Sequence, residues 1–126
     1  MNLILNKLTV FGAEEDVSEV MNFIKVEKSE QNPEIYGVGS IDFNKIAHKS
    51  QWRTKRNAIN ATDIGSSHNE IYFYTECTTA VMLIKSLSST FSKVVFDYLY
   101  NSEELDTTIR IRIANGKLSE FELCED

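Results

Sequence analysis

The sequence predicts an α+β protein, and three observations carry that reading. Two segments repeat apolar residues at helical spacing, and several others alternate apolar and polar residues with the two-residue period of a strand. Between two of the alternating runs stands Asn115-Gly116, the strongest short hairpin signal, because both residues tolerate the positive φ of a type I′ turn. At 126 residues, 42% apolar and 25% charged, with five Gly and one Pro, the chain has the length and composition of one ordinary globular domain, 1–126.

In chain order, Leu3 to Phe11 alternates well enough for a strand and Gly12 breaks it. Ala13 to Lys25 reads as a helix, with Val17, Val20, Met21 and Ile24 forming one stripe. Glu14, Glu15 and Asp16 sit where the positive end of the helix dipole favours acids, and Lys25 sits at the far end. Glu27 to Gly37 is polar, contains the lone Pro33, and is expected to be a loop. Val38 to Phe43 predicts a short, bulged strand, Phe43 to His48 a turn of helix, and Ala58 to Ile64 a strand. The chain then reverses through Gly65 to Asn69 into Glu70 to Cys77, the best strand pattern present: aromatic, β-branched and alternating.

Thr78 or Thr79 is expected to cap a second helix running to about Thr90, striped by Ala80, Leu83, Ile84, Leu87 and Phe91. Lys93 to Tyr100 sets Val94, Phe96, Tyr98 and Tyr100 against Val95, Asp97 and Leu99, a strand with one wetter face. Asn101 to Asp106 reads as an acidic turn. Thr107 to Ala114 places Ile109, Ile111 and Ile113 opposite Arg110 and Arg112, the pattern of an antiparallel strand with one face in water. Lys117 to Leu123 returns as the last strand, and Glu125-Asp126 is expected to fray. Helices with one-sided stripes among amphipathic strands imply two helices packed on one face of an antiparallel sheet. The first six elements read as a split β-α-β unit of ferredoxin-like type, with the C-terminal β-hairpin as an addition.

Charge is segregated. Phe43 to Thr62 contains Lys45, Lys49, Arg53, Lys55 and Arg56, no carboxylate, and the only Trp, Trp52. The remaining 106 residues hold eight basic and 19 acidic side chains, so the chain as a whole is at -6. A pI near 4.9 argues against broad wrapping of nucleic acid and suits a protein that meets a basic partner surface. Cys77 and Cys124 are too few for a disulfide framework and read as free thiols in a reducing cytosol. The first ten residues lack a basic n-region and a cleavage site, and no run reaches the ~18 apolar residues of a membrane span, so a cytoplasmic location is expected.

Catalysis needs a nucleophile, a base and a group to orient it. His48 and His68 are the only histidines and both fall in expected loops. Neither the spacing of His48, His68, Cys77 and Cys124 nor any Gly-rich phosphate loop or G-x-S-x-G elbow matches a metal, nucleotide or hydrolase motif. The expectation is a non-enzymatic protein with no cofactor and no metal.

Two surfaces remain as binding candidates. Lys45, Lys49, Trp52, Arg53, Lys55 and Arg56 combine a large flat apolar ring with neighbouring donors, as in protein interfaces and in sites that stack a base while holding its phosphate. Arg110 and Arg112 either join that surface or pair with Glu120 and Glu122 across the final hairpin. Glu103, Glu104 and Asp106, with Glu120 and Glu122, form an acidic end suited to a basic, nucleic-acid-binding protein.

Several of these stretches resemble one family. Leu8 to Lys25, LTVFGAEEDVSEVMNFIK, looks like the opening strand-Gly-helix of the YubB ferredoxin-like domain proteins, small proteins of plasmids, bacteriophages and other mobile elements. IDFNKIA (41–47) resembles that family's F-x-F-N-K-I-I, and WRTKRNA (52–58) its W-G-T-K-W-N-A. Ile71 to Phe91 is similar to its strand, T-A-W-x-x-P turn and helix ending in L-S-x-x-F. Phe43, Asn44, Lys45, Thr54, Lys55, Asn57 and Ala58 are retained, whereas Arg53 and Arg56 replace a Gly and a second Trp, and Cys77 and Ala80 replace a Trp and a Pro. The resemblance implies a ferredoxin-like fold and a mobile-element origin, and it brings no catalytic residues. The resulting expectation is a phage or plasmid accessory protein, a monomer or small homo-oligomer. It would bind and inhibit a host protein, most sharply a nucleic-acid-binding defence effector such as a CRISPR enzyme. The alternative is a nucleotide or single-stranded nucleic-acid binding module that uses residues 45–56.

Overall fold

The computed structural model describes residues 3–26, 40–41, 46, 59–62, 67–76, 78–102 and 107–125. The elements are β1 (Leu3–Phe11), α1 (Glu14–Ile24), β2 (Lys25–Val26), β3 (Ser40–Ile41), β4 (Ile59–Thr62), β5 (Glu70–Glu76), α2 (Val81–Thr90), β6 (Val95–Ser102), β7 (Thr107–Ala114) and β8 (Lys117–Glu125). The fold is α+β. Six strands form one sheet in the order β4-β5-β1-β6-β7-β8 with every pairing antiparallel, and β2 pairs with β3 apart from it.

The two periodicities meet in one core. Leu8 and Val10 of β1, Ile71 and Phe73 of β5, Phe96 and Tyr98 of β6, and Ile111 and Ile113 of β7 share a sheet face by strand register. Against it pack Val17, Val20, Met21 and Ile24 of α1 and Leu83, Ile84 and Leu87 of α2. Each large side chain buried there contributes about 1.5–3 kcal/mol of transfer free energy. Ile46, helical and half-buried, also packs against this cluster.

A polar network crosses the core. Asn6 is fully buried in β1, on the same face as Leu8. Its Nδ2 donates to the Ile4 carbonyl at 3.0 Å, the Phe73 carbonyl at 3.2 Å and Thr75 Oγ1 at 3.1 Å. The Tyr98 hydroxyl donates to Asn6 Oδ1 and accepts the Ala80 backbone N–H at 2.9 Å. Thr75 Oγ1 donates in turn to the Thr78 carbonyl at 2.6 Å. Three neighbouring strands and the start of α2 are thereby tied through one amide. Burial pushes the Tyr98 phenol well above its ordinary pKa, the hydrogen bond from Ala80 opposing that only in part.

Several sequence expectations need correction. The second helix begins at Val81, and its N-cap, Ala80, makes no side-chain cap bond. The Ala80 N–H is instead satisfied by Tyr98, so a tertiary contact replaces the threonine cap. Lys25 does not end α1 but opens β2, opposite Ile41. Of the strand expected over 38–43, Ser40–Ile41 is present, and residues 38, 39, 42 and 43 lie outside the described set. β6 runs two residues past Tyr100, to Ser102, and β8 stays paired to Glu125 opposite Thr107 where fraying was expected. Asn115 and Gly116 take φ of 52° and 73°, the left-handed region the β7–β8 turn requires, and the Gly116 N–H donates to Ser88 Oγ of α2 at 2.8 Å.

Candidate functional site

The opposite sheet face is where the described residues offer a binding surface. Antiparallel register builds it from two adjacent rungs. One runs Tyr72–Lys7–Leu99–Arg110 and the other Tyr74–Leu5–Asn101–Thr108, across β5, β1, β6 and β7. Between them lies an open concavity of about 400 Å³ lined by Leu5, Lys7, Tyr72, Tyr74, Leu99, Tyr100, Asn101 and Thr108. Strand pleating explains the composition: Ile71, Phe73 and Thr75 are spent on the core, which turns Tyr72 and Tyr74 outward. At the outer edge, β4 pairs with β5 through a register shift between Ile59, opposite Tyr74, and Thr62, opposite Tyr72. Such a bulge bends an edge strand.

Polar groups of this face bond to one another. Lys7 Nζ lies 3.6 Å from Glu70 Oε1 and 5.8 Å from the centroid of the Tyr72 ring, so one cation already rests over a tyrosine of the site. Asn101 Nδ2 donates to Thr108 Oγ1 at 3.1 Å. Farther along, Arg110 Nε donates to Asp97 Oδ1 at 2.8 Å, and the Asp97 side chain is only 7% exposed. Leu5, by contrast, is 40% exposed, and Phe11 on the same face 46%. Tyr100 belongs by register to the core side of β6, opposite Asn6 and Ile109, where it packs against the hydrophobic cluster and burial raises its pKa above the ordinary value.

Of the residues singled out from sequence, Arg110 and Arg112 lie half-buried on this face of β7. β8 sets Glu122 opposite Arg110 and Glu120 opposite Arg112. The wetter strand face expected here is present at Val95 and Leu99, half-buried against the buried Val94, Phe96 and Tyr98, and Asp97 is its exception: that residue is buried, with Arg110 against its carboxylate. Lys45, Lys49, Trp52, Arg53, Lys55 and Arg56 lie outside the described residues, as do Glu103, Glu104, Asp106, His48, Cys77 and the loop expected over Glu27 to Gly37. His68 is exposed and lines a separate cleft with Phe11 and Glu14. Sequence reasoning passed over Tyr72 and Tyr74. The signal was available: in EIYFYTEC one alternating set carries Tyr72 and Tyr74 and the other Ile71 and Phe73, so burying the more apolar set leaves the tyrosine pair outside.

Among the described residues, no three His, Cys, Asp or Glu side chains gather closely enough to hold a metal ion. No helix among them is long and apolar enough to cross a membrane. Compared with known proteins, the chain matches no family model, no curated protein and no solved structure.

Proposed function

We propose that this chain is a non-enzymatic accessory protein of a mobile element that acts by occupying a surface of a host protein, in its sharpest form a defence effector of the CRISPR kind. One observation carries the reading: a sheet face with a tyrosine-walled, leucine-floored concavity, whose nearby charges, Lys7–Glu70 and Arg110–Asp97, are matched within the chain. An apolar, aromatic centre with polar groups around it is the anatomy of a protein interface. Tyrosine is among the residues that carry most of the energy in such interfaces. The sheet order β4-β5-β1-β6, with α1 and α2 on the connections, supports a ferredoxin-like core to which β7 and β8 are added. Fold alone assigns no activity, so the surface has to carry the argument.

The test is affinity capture from host lysate with the wild type and with Tyr72→Glu/Tyr74→Glu. One stoichiometric partner, lost with the double variant while thermal unfolding is unchanged, is the expected result. Capture that ignores both substitutions overturns the reading. The nucleic-acid alternative rests on residues 45–56 and has its own assay: oligonucleotide quenching of Trp52 fluorescence, weakened by salt and lost in Lys55→Ala.

A further inference from the structure

We propose that the cleft between α1 and the link from α2 to β6 docks a basic segment of a partner protein. One cationic side chain of that segment enters the cleft and an apolar neighbour lies on Phe23. This goes beyond the sheet-face reading and does not depend on it, since α1 and α2 cover the other side of the sheet. Residues 14–24 spend Val17, Val20, Met21 and Ile24 on the core. Along one flank of that stripe Asp16, Glu19 and Phe23 follow at i, i+3 and i+7, which sets them on one helix face. Phe91, the residue that ends α2, meets Phe23 with ring centroids 5.3 Å apart. The core does not enclose this pair: Phe23 is 37% exposed. Beside it the cleft holds about 160 Å³, lined by Asp16, Glu19, Thr90, Phe91, Ser92, Lys93 and Val94. That is room for one side chain, well short of a drug-sized ligand.

Charge selects the occupant, because on this side it is not matched within the chain. Among the described residues Asp16 and Glu19 make no ion pair, and Lys93, the one cation lining the cleft, lies beyond ion-pair distance of both. α1 as a whole carries four carboxylates and no basic residue. The helix dipole accounts for Glu14, Glu15 and Asp16 in the first turn, but Glu19 lies past it. A phosphate is repelled here and a cation attracted. Phe91 and Val94 give the aliphatic stem of a lysine or arginine an apolar wall, while its head reaches the two carboxylates. The part-exposed Phe23 ring then covers the next apolar side chain of the segment.

The probe is the peptide acetyl-Lys-Lys-Phe-Lys-Lys-amide, titrated into the full ¹⁵N-labelled chain and followed by amide shifts. The control, acetyl-Lys-Lys-Ser-Lys-Lys-amide, has the same charge and no ring. Expected are shifts concentrated at Asp16, Glu19, Phe23, Phe91 and Lys93, and about fivefold weaker binding of the control. Binding should be lost in Glu19→Lys, an exposed position whose substitution leaves the core intact, and weakened to the level of the control in Phe23→Ser. Equal binding of the two peptides overturns the proposal, because it marks plain attraction to acids. So do shifts centred away from the cleft, binding that survives Glu19→Lys, oligothymidine binding at Phe23, and no shifts at millimolar peptide. The sheet-face reading is untouched by each of these results, since Tyr72 and Tyr74 lie on the opposite side of the sheet.

Discussion

Tyr98→Phe is the sharpest test of how this sheet is held together. The substitution deletes one hydroxyl and preserves the ring, so the core loses almost no volume. Two hydrogen bonds go with it, one to Asn6 Oδ1 and one from the Ala80 N–H, and both groups left behind are buried. A polar group stranded in a core costs about 1–3 kcal/mol, so the pair should cost about 3 kcal/mol in total. That is a large part of the 5–15 kcal/mol typical of a domain, and it lowers Tm by roughly 12 °C at this size. Urea unfolding followed by far-UV circular dichroism reads it directly: the midpoint falls while the slope stays fixed. In the double variant with Asn6→Leu, the losses should fall short of additive by about 1 kcal/mol or more, because each removes the other's partner. A Tyr98→Phe protein within about 0.5 kcal/mol of wild type would refute the network, since that is the scale of ordinary surface changes.

Arg110→Ala should cost about 2 kcal/mol by leaving the buried Asp97 carboxylate without its guanidinium, whereas Lys7→Ala, which breaks a 3.6 Å pair between partly exposed groups, should cost about 0.5 kcal/mol or less; paired denaturation curves separate the two. Gly116→Ala should destabilise by about 1–2 kcal/mol, because a Cβ at φ 73° is strained and would meet Ser89 Oγ of α2; an effect near zero would show that the turn can relax away from the helix. Stability should hold up to pH ~10 and fall above it: Tyr98 stays protonated in the fold while the unfolded chain releases that proton near 10, so the unfolded state binds fewer protons and gains with rising pH. Alkaline unfolding monitored by tyrosinate absorbance should therefore be cooperative for Tyr98, and a smooth titration of every tyrosine in the native state would contradict its burial.

Local pattern determined much of this molecule. The helical stripes in 13–25 and 80–91 and the alternation in β1, β5, β6 and β7 are periodicities of the backbone itself, which any chain with that spacing must satisfy by burying one side. The β7–β8 turn is equally local, because Asn115 and Gly116 tolerate the positive φ it needs wherever it sits. What a linear pattern does not contain is which strands become neighbours. Lys7 and Tyr72 are far apart in sequence and meet only because β1 lies between β5 and β6. For the same reason the cap of α2 was misplaced, since the group that satisfies Ala80 comes from Tyr98 in another strand. Charge segregation along the chain drew attention to Trp52, whereas the concavity is assembled from residues of four different strands that no single stretch of sequence brings together. Sequence set the faces of the elements; only long-range pairing decided which faces were brought together to make a surface.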